Sequence, residues 1–253
     1  MSMSSIAITS ITFAFVFGGA LLGILLRAAV PEHQLNSDSK DAVKLGMGLV
    51  ATMVALVLGL LIASAKSSYD MQNSELTDVS SKFILLDRVL AHYGPESKEA
   101  RDQLRNSVAR ALDQMWPKDP AGSSQTEPPS MASEVLYDEI QALSPKDDAQ
   151  RSMQSQALSI AIGLGQTRWL MYAQRANSVS TPLLIVLIFW LTALFISFGL
   201  FAPRNATVLA TLLVSALSVS CAVFLILEMY TPYAGLIRIS DAPLRTALTH
   251  LGK

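Results

Sequence analysis

The chain has 253 residues, 51% of them apolar, with 15% charged residues and a mean hydropathy of +0.39. That apolar excess excludes an ordinary soluble domain, a disordered chain and a collagen-like repeat. A formal net charge of −1 offers no basic surplus to nucleic acid, and the single cysteine, Cys221, excludes a disulfide within the chain.

The charges are unevenly placed. Residues 1–26, 45–65, 176–203 and 205–227 contain no Asp, Glu, Lys or Arg, so all 39 charged residues fall among the other 155. A charge in hydrocarbon costs several kcal/mol, and about 20 apolar residues in a helix cross a ~30 Å bilayer core. The pattern predicts an all-α integral membrane protein with four transmembrane helices.

The first helix is expected from about Ile6 to Leu26. It has no basic residue before it and outruns the apolar core of a cleavable signal, so it is expected to stay. A polar stretch of 18 residues, Arg27 to Lys44, leads to a second span from Leu45 to Ala65. No Pro or Gly interrupts Leu60 to Tyr93, so this helix is expected to run on into water until Gly94-Pro95 stops it.

The insert from Lys66 to Arg175 reads as helix nearly throughout. Leu76, Val79, Phe83, Leu86, Leu90 and Tyr93 recur at alternating spacings of 3 and 4, the seam of packed helices. A second insert helix carries Ala100, Leu104, Val108, Ala111, Leu112 and Met115 on one face and ends at Pro117. Four prolines between Pro117 and Ser130 predict a loop. A short helix follows with Val135, Leu136, Ile140 and Leu143. Ser144, Pro145 and Asp147 then suit the start of a helix that could run to Arg175 and on into the third span.

The last two spans are separated only by Pro203-Arg204-Asn205, which favours a tight turn. Domains are therefore expected at 1–66 (spans one and two), 67–175 (a helical stalk), 176–229 (spans three and four) and 230–253 (an amphipathic tail). Lys66, Lys82, Arg168, Arg175, Arg238 and Arg245 on the stalk side outnumber Arg27, Lys40, Lys44 and Arg204 on the other. The excess of basic residues places the stalk and both termini in the cytoplasm.

After the fourth span come Glu228 and the signature Pro232-x-x-Gly235-x-Ile237-x-Ile239-Ser240-x-x-Pro243. This signature resembles the bestrophin-like domain family of bacterial membrane proteins, as does the layout of two spans, a helical insert of about a hundred residues and two further spans. The resemblance implies a homo-oligomeric ion channel in the bacterial inner membrane, a pentamer whose second helices surround a hydrophobic constriction. The family's constriction uses aromatic residues, and no aromatic residue occurs from Leu45 to Ala65. Its calcium clasp uses an acidic cluster after the last span; only Glu228 and Asp241 are available here, so calcium gating is not expected.

Ala51, Ala55, Gly59 and Ala63 repeat every four residues along the second span, and Gly19 and Gly23 form a GxxxG in the first. Small-residue faces let helix backbones approach in lipid, either within one bundle or between subunits. Opposite the Ala51 face lie Gly46, Val50, Met53, Val57, Leu60 and Ser64. Those side chains either meet lipid or line a pore, with Val50, Met53, Val57 and Leu60 as an apolar waist that gates by dewetting. Thr207, Thr211, Ser215, Ser218 and Ser220 of the fourth span read as helix glue or as a hydrophilic wall.

Pro232 and Gly235 bend the tail, and Glu228, Arg238 and Asp241 are expected to form charge pairs under the membrane. The last helix, opened by Ser240, Asp241 and Pro243, carries an apolar stripe of Leu244, Leu248 and Leu251. It would pack on the stalk or lie on the membrane surface.

No carboxylate, Lys, Arg or His lies inside a span, which argues against a proton-coupled carrier. His33, His92 and His250 are scattered, no phosphate loop or nucleophile elbow occurs, and Gly163-Leu-Gly165 lacks the strand a dinucleotide site needs. No enzyme, metal or cofactor is expected. Trp169 and Tyr172 read as anchors at the bilayer interface. Two functions fit: a channel passing small ions, with the lipid bilayer and its own copies as partners, or a non-conducting scaffold or sensor whose stalk recruits a second protein.

Overall fold

The computed structural model describes residues 4–27, 29, 37–117, 130–174, 180–203, 205–233 and 235–253, with backbone alone at 37–40, 130–133 and 174. All regular structure among them is helical: α1 Ser5–Leu26, α2 Ser37–Tyr93, α3 Lys98–Met115, α4 Ser130–Gln141, α5 Asp148–Gln174, α6 Thr181–Phe201, α7 Ala206–Met229 and α8 Ala242–His250, with a 3-10 turn at Pro95–Ser97. Four of them, α1, α2, α6 and α7, are long and apolar enough to cross a membrane. The chain divides into two compact units, Met1–Tyr69 with Ser178–Thr231, and Asp70–Asn177 with Pro232–Lys253.

Three boundaries differ from the sequence expectation. The second helix begins at Ser37, eight residues before the apolar run, because acids near its N-terminus favour the positive end of the helix dipole and Asp41 pairs with Lys44 at 3.4 Å. The fifth helix starts at Asp148 rather than near Ser144: Asp147 Oδ1 accepts the Gln150 N–H at 2.7 Å, and Gln150 Oε1 accepts the Lys146 N–H at 2.7 Å. It is described as far as Gln174, and a non-helical Ser180 precedes α6, which starts at Thr181 with Pro182 in its first turn. The proline-rich loop expected after Pro117 lies outside the described residues except for its ends.

In the first unit, Ser4 Oγ caps α1 by accepting the Ala7 N–H at 3.2 Å. Asn205 does the same for α7 toward Val208 at 2.9 Å. Helix α1 packs on α6 and α7, and one apolar cluster joins Val16 and Ala20 to Val54 and Leu61 of α2, Leu187 and Phe195 of α6, and Ala216 and Ile226 of α7. The contact of α1 with α6 is a backbone approach. A Cβ at Gly19 would stand 3.1 Å from the Thr192 carbonyl, one at Gly23 would fall on the Ile196 carbonyl, and one at Gly199 would fall on the Ala20 carbonyl. Arg27 Nη1 closes the end of this pair by donating to the Ala202 carbonyl.

In the second unit, Gly94 at φ +130° ends α2 in a conformation that side chains resist. Ser97 Oγ donates to the Gly94 carbonyl at 2.8 Å, fixing the turn into α3. Gln72, Leu76, Ser80, Leu86, Leu90 and Tyr93 are buried on α2, and Ala100, Leu104, Val108 and Leu112 on α3. Leu136 and Ile140 of α4 are buried, while Val135 is exposed. Gln154 Nε2 donates to the carbonyls of Ile140 and Leu143 at 3.0 and 2.7 Å, tying α5 to the end of α4. Helix α8 packs on α3, with Leu244, Ala247 and Leu251 buried and Leu248 half-buried.

Candidate functional site

The membrane part of α2 presents three faces. Met47, Val50, Ala51, Val54, Val57, Leu58, Leu61 and Ala65 recur at helical spacing and pack into the unit's own apolar cluster. Only 11% of the apolar window of α2 is buried, against 28% for α1, 33% for α6 and 28% for α7. The uncovered remainder, which also includes Leu45 and Ile62, carries two rows. One is a ridge of Leu49, Met53, Leu56 and Leu60, exposed at 65%, 46%, 74% and 65% and spaced by four, three and four. Beside it runs a strip of small residues, Thr52, Ala55, Gly59 and Ala63, all exposed, where a Cβ at Gly59 would meet nothing within 4 Å.

The residues singled out from the sequence are thus distributed. Gly19 and Gly23 meet α6. Of the small-residue row, Ala51 belongs to the packed face and Ala55, Gly59 and Ala63 to the open strip. Of the expected waist, Met53 and Leu60 are open, whereas Val50 and Val57 are partly buried against the cluster. The helix turns 100° per residue, so a core-facing row on Val54 and Leu61 takes Val50 and Val57 with it and leaves Leu49 and Leu56 outward. Ser64 Oγ lies 3.2 Å from the Tyr230 hydroxyl, joining α2 to the C-terminal end of α7.

The tail signature builds a loop and a helix start. Pro232 is buried, and its carbonyl accepts the Ile239 N–H at 2.8 Å. Gly235, at φ +86°, supplies the turn within that loop, and Arg238 Nε donates to the Gly235 carbonyl at 2.7 Å. Ile239 is buried, and its carbonyl accepts Trp116 Nε1 at 3.1 Å; the Trp116 ring meets Tyr233 edge to face at 5.7 Å. Ser240 Oγ accepts the Ala242 N–H at 3.2 Å, and Pro243 sits in the first turn of α8. Asp241 pairs with Arg245 at 2.5 Å, one turn along its own helix, a partner the sequence reading did not name. Glu228 is buried at the end of α7, and its carbonyl accepts the Thr231 N–H at 3.0 Å.

The chain's last residues meet a buried ion pair that spacing alone does not reveal. Asp87, 1% exposed, accepts Arg101 Nε at 2.8 Å and Nη2 at 3.0 Å. Its Oδ2 also accepts the Gly252 N–H at 3.3 Å, and Arg101 Nη2 donates to the Lys253 carbonyl at 3.1 Å. The hydrogen bond from Arg101 to the Asp87 carboxylate raises the guanidinium pKa above its ordinary value. On the surface, Lys146 holds the Glu96 carboxyl below the usual carboxylate range. Among the described residues no group of three His, Cys, Asp or Glu side chains is placed to hold a metal ion.

No curated protein sequence matches the chain. Solved structures of bacterial bestrophin homologues from Klebsiella pneumoniae, each bearing a single substitution, have a similar fold. One covers 99% of this chain and 97% of its own at 14% identity and a TM-score of 0.70. Two others cover 93% and 97% at TM-scores of 0.65 and 0.64, with 12% and 14% identity. The profile of the bestrophin-like domain matches residues 14–244. Together with four membrane-length helices and the loop-building tail signature, that match identifies a membrane protein belonging to the bestrophin-like domain family.

Proposed function

We propose that the protein is a homo-oligomeric ion channel of the bacterial inner membrane that passes small ions without catalysis. The α2 helices of neighbouring subunits surround a common axis, five in number by the family resemblance. The helical insert between the second and third spans stands as a stalk in the cytoplasm with both termini.

The observation that carries this reading is the apolar window of α2, 11% buried beside neighbours at 28% and more. Its open surface carries a bulky ridge and, beside it, a strip of small residues. Helices whose small strips meet can pack closely in lipid, and the adjoining ridge then turns toward the axis. Leu49, Met53, Leu56 and Leu60 form the apolar waist in this arrangement, with Val50 and Val57 supporting it from behind. A ring of such side chains gates by losing water.

Planar-bilayer recording of the purified protein tests the reading. Unitary currents that scale with voltage and change with the salt are expected; silence at both polarities in several salts, from a protein whose oligomer is intact, would count against it.

A further inference from the structure

The rotation of α2 within the membrane unit rests on few directional contacts. Helix α1 interlocks with α6 by backbone, whereas a Cβ at Gly46, Gly48 or Gly59 of α2 would meet nothing within 4 Å. The apolar stretch of α2 is held by side-chain packing through Val54, Leu61 and Ala65, and burial of apolar surface has no preferred direction. Two side chains between residues 45 and 65 carry a hydroxyl, Thr52 and Ser64. Thr52 Oγ1 donates to the Leu49 carbonyl of its own helix at 2.7 Å. Ser64 reaches another helix instead, with its Oγ 3.2 Å from the Tyr230 hydroxyl.

Both partners are placed so that this bond reports the rotation of α2. The Tyr230 ring packs on the unit's own apolar cluster just past the end of α7, which makes its hydroxyl a fixed point. At 100° per residue, Ser64 falls about 40° from Leu60 of the open ridge and about 20° from Val57 of the packed face. The bond therefore stands at the border of the two faces, one turn beyond the ridge. Side-chain tips lie roughly 5–6 Å from the helix axis, so turning α2 by about 20° moves the Ser64 oxygen by about 2 Å and breaks the bond. The pair is exposed, and water can replace either partner, so the bond opens at small cost.

We propose that Tyr230 is a positioning residue for conduction. Through Ser64 it holds α2 at the rotation that turns Leu49, Met53, Leu56 and Leu60 to the axis; its release lets the ridge swing aside and the waist take up water. This role rests on the channel reading above and adds to it the contact that keeps the gate shut. The hydroxyls act through the helix and not on the ion, so the bond sets how often the waist is wet and not which ions pass.

Single-channel recording from the full chain in planar bilayers, with Tyr230→Phe beside the parent, tests the role. That variant keeps the ring and removes the hydroxyl, and its open-to-closed ratio should rise about threefold, the effect of one average hydrogen bond between helices in lipid. Ser64→Ala should give the same rise, the double variant no more than either alone, and Ser64→Thr, which keeps a hydroxyl, the parent's ratio. The reversal potential in a salt gradient should stay at the parent's value throughout. Thr9→Val deletes a hydroxyl that bonds within α1 to the Ser5 carbonyl at 2.8 Å, and it should change neither quantity. Far-ultraviolet circular dichroism and light scattering establish that each variant is folded and oligomeric, and the two single variants are separate routes to the same rise. From a conducting parent, a ratio unchanged or lowered in Tyr230→Phe, effects that add in the double variant, or a shifted reversal potential would overturn the positioning role and leave the channel standing. A silent parent with its oligomer intact would overturn the channel and the role together.

Discussion

Gly23 tests the helix contact on which the membrane unit is built. A Cβ there would fall on the Ile196 carbonyl and stand 2.9 Å from the Leu200 nitrogen and 3.0 Å from the Ile196 carbonyl carbon. Those atoms are backbone in a hydrogen-bonded helix, so no side-chain rotation relieves the clash and α1 must move away from α6. Overpacking of this kind costs about 1–3 kcal/mol. Gly18 is the control, because a Cβ there meets nothing within 4 Å. Both alanine variants gain similar helix propensity, so the difference between them isolates packing. It should appear as a midpoint for Gly23→Ala lower than that of Gly18→Ala by about 2–12 °C, measured by far-ultraviolet circular dichroism during heating in detergent. Equal midpoints would refute the close approach of α1 and α6.

Further outcomes follow from the same geometry. Asp87→Ala strands the Arg101 guanidinium in a largely buried setting and should cost about 3–5 kcal/mol in denaturant titration; Lys146→Ala, which breaks an exposed pair with Glu96, should cost nothing measurable. The Tyr93 hydroxyl is buried with no partner among the described residues, so Tyr93→Phe should stabilise by about 1 kcal/mol. Burial, and after it the Glu96 charge, raise the Tyr93 pKa above 10.0. The unfolded chain therefore ionises first, native stability falls as the pH rises past that value, and Tyr93→Phe should remove this part of the alkaline decline in denaturation midpoints. Gly59→Leu adds bulk to the open strip of α2, where a Cβ meets no described atom within 4 Å, so light scattering should show the oligomer dissociating while circular dichroism stays helical. An intact oligomer would remove the strip from the subunit contact.

The spans were legible because a missing charge is a strong and local statement: Arg27, Lys44, Lys66, Arg204 and Glu228 mark their ends directly in the sequence. The seam from Leu76 to Tyr93 and the stop at Gly94 were legible for a similar reason, since periodicity and a turn residue act within a few positions. Faces were harder. A row such as Ala51, Ala55, Gly59 and Ala63 drifts around the helix because four residues turn 400° rather than a full number of turns, so its first member packs inward and the rest lie open. The same drift separated Val50 and Val57 from Met53 and Leu60. Long-range partners left no trace in spacing. Gly199 opposite Ala20, Trp116 on the Ile239 carbonyl, and Arg101 on Asp87 join residues 14 to 179 positions apart. Gly199, the lone glycine of its apolar span, is the one among them that the sequence could have flagged.

The most direct test of the channel account is single-channel recording from Leu56→Cys in a Cys221→Ser background while a membrane-impermeant charged thiosulfonate is applied. Leu56 is 74% exposed on the open ridge of α2, and a charge introduced there should alter a dewetted waist at once. The account predicts unitary currents before the reagent and a stepwise change in them after it, with the Cys221→Ser background unaffected. Currents indifferent to modification at Leu56, or no currents from an intact oligomer, would contradict it.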